Sequence, residues 1–191
     1  MKLSNDEISV LKACLLFILE HCGESKRDVY SVVKTAYYAQ QYSLATWGVP
    51  IFRDDIAALP FGPVPSILYN ILKMARGDAK ELAFYKGTGL THVADSIGFD
   101  MESFYPKERP DMDYLSKTDI ESLENAIRRV SKMSFSQIKN DTHGEEWNRV
   151  FHGTDPRKIM DIVNIAREGE ADEDTIEYLR ENLELDNCLR R

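Results

Sequence analysis

Ser4-Asn5-Asp6-Glu7 stands directly ahead of Ile8, Leu11, Leu15, Ile18 and Leu19, apolar residues at helical spacing. A hydroxyl followed three residues later by a carboxylate satisfies two backbone amides that a helix start otherwise leaves without partners. The same device returns at Ser134-Phe135-Ser136-Gln137 and, through Thr142 and Glu145, at the head of a further helix. Punctuation of this kind directs the chain toward a helical assembly with short connections.

The pattern between these starts predicts the remaining elements. Gly23 stops the first helix. Ser25 with Asp28 opens a second, whose apolar face is Val29, Val32, Val33, Ala36, Tyr37 and Leu44, and Gly48 with Pro50 ends it. Ile51 to Leu59 is too short for a typical helix between Pro50 and Pro60 and reads as an extended segment or short strand. Gly62-Pro63 is expected to begin a helix carrying Val64, Ile67, Leu68, Ile71, Leu72 and Ala75, because prolines are tolerated in a first turn.

From Ala79 to Pro110 the helical period lapses. The runs Leu82–Tyr85 and His92–Phe99, with glycines at 87, 89 and 98, predict two short strands and irregular connections. Helices return at 116–133, with Ile120, Leu123, Ile127 and Val130, and at 134–141. A short helix follows from Thr142. Asp155-Pro156 reads as the start of another, bearing Ile159, Ile162, Val163 and Ala166 as far as Gly169. A final amphipathic helix covers 173–186 with Ile176, Leu179 and Leu183.

Composition narrows the class. An apolar fraction of 43% and a charged fraction of 29% over 191 residues suit one packed domain and exclude a wholly disordered chain. The best apolar run, Ala13 to Leu19, is far short of a bilayer span of about 18 residues. Acids at 6 and 7 replace the basic start of a signal peptide, so a cytoplasmic location without membrane partners is expected. The net charge of −8 divides unevenly. Residues 161–191 carry ten acids and four bases, a net −6, which leaves −2 for residues 1–160. Neither part offers a basic stripe, which disfavours nucleic acid as a partner. The acidic end reads as a solvated helix face.

Catalytic signatures are sparse. No phosphate loop is present, and Gly87-Thr88-Gly89 lacks the third glycine of a dinucleotide site. Cys14, His21 and Cys22 lie at helical spacing but read as buried cysteines beside a histidine, so neither a metal nor a cofactor is assigned. Thr142-His143-Gly144-Glu145-Glu146-Trp147 has two readings. His143 with Glu145 or Glu146 could act as an acid/base pair in a small hydrolase or transferase. Alternatively the carboxylates serve a helix start while His143 and Trp147 pack inward. Tyr37, Tyr38, Tyr42 and Trp47, with Phe52 and Phe61, read mostly as core, with Tyr38 and Tyr42 as an alternative partner surface.

Lys34, Tyr38, Ala39, Gln40, Leu44, Gly48, Pro50 and Phe52, followed by the turn Phe61-Gly62-Pro63-Val64, form an ordered pattern with a later Ser134 to Ile138, Thr142-His143 and Trp147. Across about residues 29–151 this resembles the Panacea domain, the family of SocA-like antitoxins and phage-associated GepA-like proteins. The resemblance implies a non-enzymatic antitoxin of a type II toxin–antitoxin pair. A cognate toxin would be its partner, with a protease as second partner in adaptor-like members. The family supplies no catalytic residues. Lys34, Tyr38, Gln40, Phe61, Gly62, Pro63, His143 and Trp147 are therefore expected to serve the fold or the partner surface. Some members carry a DNA-binding segment ahead of the domain, and with roughly 28 residues preceding it here none is expected.

The expected architecture is mostly α-helical, an α+β chain with a small β element. A helix within residues 1–28 should pack on a compact domain at 29–152, and acidic helices at 153–191 should extend it.

Overall fold

The computed structural model describes residues 3–189. Helix α1 (Asn5–His21) starts as expected: the Glu7 amide donates to the Ser4 hydroxyl and the Ser4 amide to the Glu7 carboxylate. Helix α2 (Val29–Trp47) is capped by Asp28, which accepts from the Ser31 amide, whereas Ser25 lies in a 3-10 turn, Glu24–Lys26. Gly48 ends α2 in the left-handed conformation, φ +64°.

Strand β1 (Ile56–Leu59) realises the extended segment expected before Pro60. It pairs antiparallel with β2 (Gly62–Pro65), placing Ile56 opposite Pro65 and Leu59 opposite Gly62. The helix expected from Gly62-Pro63 begins later, as α3 (Ser66–Arg76). Proline suits the first turn of a helix and the edge of a sheet equally well, and here strand pairing decides. The start of α3 is capped from outside. The Asp54 carboxylate accepts from the Ile67 and Leu68 amides at 2.8 and 2.9 Å.

The stretch read as strands and loops is partly helical. Leu82–Tyr85 falls in and just after α4 (Ala79–Phe84), and His92–Asp95 closes α5 (Gly89–Asp95). Two short strands do follow, β3 (Ile97–Asp100) and β4 (Ser103–Pro106), paired antiparallel. Their turn residues, Met101 and Glu102, both have positive φ without being glycine or asparagine, so the usual turn signal is missing.

Helices α6 (Lys117–Ser131) and α7 (Phe135–Thr142) appear where expected, each opened by a closed capping box. Thr142 is not the start of the next helix. It is the last residue of α7, and its hydroxyl donates to the Ile138 carbonyl. Helix α8 (Glu145–Phe151) follows Gly144. Asp155-Pro156 does not start a helix either, because the Asp155 carboxylate is taken by the Arg157 amide and guanidinium. Helix α9 (Ile162–Glu168) begins later under an Asp161 cap, and α10 (Glu173–Leu189) matches the last predicted helix. Ile159 instead bridges to Ala57 on β1.

Helix α2 lies at the centre. It packs against α1, α3, α6, α9, α10 and β2, and every residue from Ser31 to Gln41 is buried. One apolar cluster takes in residues from Leu11 on α1 to Leu179 on α10. The fold is thus mostly helical, with two small antiparallel sheets. Among the described residues no helix is long and apolar enough to cross a membrane.

Candidate functional site

A helix buried on all sides must find partners for every polar side chain it carries. Gln40 does so completely. Its carbonyl oxygen accepts from the Ile51 and Phe52 amides and its amide donates to the Phe52 carbonyl at 2.9 Å, which fixes the chain leaving Pro50. Lys34 is more sparsely served. Its side chain is buried, and Nζ donates to the Pro63 carbonyl on β2 at 2.8 Å. The Tyr30 ring lies 5.5 Å from Nζ. Burial pushes the Lys34 pKa down to about 7.

The β1–β2 turn closes over this ammonium. Gly62 has φ +97°, and a Cβ there would lie 2.5 Å from Lys34 Nζ, 2.8 Å from Thr142 Oγ1 and 3.2 Å from His143 Cδ2. The glycine is required twice over, by its conformation and by the side chains beneath it. His143 stacks on Trp147 with ring centroids 3.7 Å apart, and the indole N–H donates to the Leu59 carbonyl on β1 at 3.0 Å. His143 Nε2 is buried without a hydrogen-bond partner among the described residues. Burial and the nearby Lys34 and Lys139 lower the imidazole pKa, so the ring favours its neutral form.

Five residues singled out from the sequence therefore meet at one node: Lys34, Gly62, Pro63, His143 and Trp147. Three do not join it. Gln40 faces the 50–52 segment. Tyr38 is buried and donates from its hydroxyl to Asp141 at 2.5 Å, with the Arg129 guanidinium stacked 4.3 Å over its ring. Phe61 projects outward and is 59% exposed. Tyr42 is half-buried and donates to Glu121, so Tyr38 and Tyr42 form no exposed pair.

The carboxylates beside His143 are engaged elsewhere. Glu146 is buried and accepts two bonds from Arg149 at 2.7 Å, one from the Asp161 amide at 2.6 Å and one from the Asn164 amide at 3.0 Å. Burial opposes the charge, yet these donors hold the carboxyl below its usual range. Glu145 is exposed.

Sequence reasoning missed Glu168, which supplies the cap expected from Thr142. Its carboxylate accepts from the Glu146 amide at 2.7 Å, and a Cβ on Gly144 would lie 2.5 Å from its oxygen. Glycine directly ahead of two acids was the available signal. Arg129, Asp141, Arg149, Arg167 and Glu168 line a polar cleft of about 930 Å³ between α6, α8 and α9. Cys14 and Cys22 are buried, His21 stacks on Phe17, and among the described residues no three metal-ligating side chains converge.

No curated protein and no solved structure matches the chain. The family profile described as "Antitoxin SocA-like, Panacea domain" matches residues 32–148, from the first turn of α2 into α8. That span holds the node of Lys34, Gly62, Pro63, His143 and Trp147 and covers more than half of the sequence, so the chain belongs to the SocA-like antitoxin family of the Panacea domain.

Proposed function

We propose that this protein neutralises a cognate toxin by binding it directly, as the antitoxin of a type II pair, in the cytoplasm and without catalysis of its own. The observation that carries the reading is the family match across 32–148. The geometry supports it. Within Thr142–Trp147, His143 stacks on Trp147 and Glu146 bonds across to Asp161 and Asn164, contacts that favour a structural over a catalytic role. Of the two carboxylates the sequence set beside His143, Glu146 directs its bonds to Arg149, Asp161 and Asn164 rather than to the imidazole.

The test is co-expression with the product of the adjacent reading frame. Rescue of growth and co-purification above physiological salt are expected, since a buried interface survives screening that dissolves exposed charge pairs. Tight binding to duplex DNA at physiological salt with no protein recovered would overturn the reading. In adaptor-like members a protease is a second partner. For this chain that predicts faster loss of the toxin in cells that contain the antitoxin.

A further inference from the structure

Phe61 and Phe135 are large apolar rings that stand half exposed outside the main apolar cluster. Phe61 occupies the tip of the β1–β2 turn, a place where turn chemistry favours small polar residues. Phe135 is the first residue of α7, whose capping box is complete without it. They are 59% and 50% exposed. They also touch: the ring centroids are 6.2 Å apart, and Tyr30 lies 4.4 Å beyond Phe135. Three rings from three separate elements thus form one continuous row.

A lysine borders this row in a chain of net charge −8. Lys139, one turn along α7 from Phe135, sets Nζ 5.9 Å from the Phe61 ring. Lys26 donates to the Met133 carbonyl at 2.6 Å, and the exposed Lys132 adjoins it. Asp28 caps α2 and keeps its negative charge beside Tyr30, so the cationic end of the row is the one at Phe61, next to Lys139. Tyr30 Oη is buried beside Phe135 with no hydrogen-bond partner among the described residues. Aromatic anchors with a charged rim are the composition of a binding hot spot.

We propose that the row Phe61–Phe135–Tyr30 seats the toxin, and that the segment it takes presents an apolar anchor flanked by carboxylates. This rests on the antitoxin reading above. Phe84, 78% exposed on the short α4, is the contrasting ring, because among the described residues only the ring of its neighbour Tyr85 packs against it.

The experiment uses the full chain and the product of the adjacent reading frame. Benzoylphenylalanine placed at position 61 or 135 should crosslink to that product on illumination, and placed at 84 it should not. Phe61→Ser with Phe135→Ser should weaken binding by about 30-fold or more while leaving thermal unfolding of the free chain in place. Lys132→Glu with Lys139→Glu should slow association by about tenfold, a gap that narrows as salt rises. Undiminished binding by the double serine variant, with crosslinks from 84 alone, would overturn the row while the antitoxin reading stands. Failure of the unmodified chain to bind or rescue removes the antitoxin reading and this proposal with it. A crosslink from 61 to a second copy of this chain in place of the toxin also overturns it.

Discussion

The Lys34 ammonium lies where a side chain on Gly62 would begin: a Cβ built on that glycine falls 2.5 Å from Nζ. The central helix and the β1–β2 turn are therefore fitted to each other at one atom, and the Lys34 bond to the Pro63 carbonyl locks the fit. Disturbing either residue should be felt by the other.

Gly62→Ala should destabilise the protein by about 2–3 kcal/mol, combining a φ of +97° with displacement of Lys34 and Thr142. Gly23→Ala, where a Cβ meets nothing within 4 Å, is the comparison. Urea unfolding of the two variants would show the difference, and equal midpoints would refute it.

The lowered pKa of Lys34 carries a pH signature. The unfolded lysine keeps its proton up to about 10.5 and the folded one releases it above about 7, so the unfolded state binds more protons in between. Stability should rise from pH 7 to pH 9 by about 2–3 kcal/mol from this group. Above pH 9 the buried thiols of Cys14 and Cys22, which hold their protons past the usual value, reverse the slope. Below pH 7, Asp54, raised by burial to about 7, makes stability fall as pH climbs from 3.8. Lys34→Met should remove the rise between 7 and 9 and leave the Asp54 limb. Parallel slopes in the two proteins across that window would count against the assignment.

Trp147→Ala should cost about 3–5 kcal/mol, because the indole fills space against His143 and Phe151 and holds the Leu59 carbonyl. In a double-mutant cycle with His143→Ala, a coupling of about 0.5–1.5 kcal/mol is expected from the stacked pair. Strictly additive losses would mean that the stack contributes nothing beyond burial.

Glu146→Ala should cost about 2–4 kcal/mol, since it strands the Asp161 amide and the Asn164 side chain. Arg149→Ala removes an exposed cation and should cost distinctly less. Denaturant midpoints for both variants test this ordering, and a reversed order would show that the ion pair within α8 outweighs the bonds Glu146 makes to Asp161 and Asn164.

Features that close within a few residues were legible in the sequence. The Ser4 and Ser134 boxes and the Gly48 stop are local chemistry, and the structure has them where the pattern put them. What could not be read was partnership at a distance. Pro63 belongs to a strand because Ala58 lies opposite it, and α3 starts at Ser66 because Asp54 reaches its amides from upstream. The Met101-Glu102 turn lacks the residues that usually announce such a turn. At the site, the motif drew attention to Lys34, Gly62, His143 and Trp147, but only the fold brings Nζ under the turn. Phe135 passed for part of a capping box, since its exposure depends on how α7 meets β2.

The bridge between Ala57 and Ile159 has a bearing on where this protein can be cut. The Ala58 amide donates to the Lys158 carbonyl and the Met160 amide to the Ile56 carbonyl, both at 2.8 Å, so a stretch beyond residue 148 covers the outer side of the β1–β2 hairpin. A fragment ending at residue 148 would leave the Ala58 amide and the Ile56 carbonyl without these partners on an apolar strand, an edge on which copies can add to one another. Residues 158–160 thus close one side of β1, and a fragment meant to keep the hairpin paired should retain them.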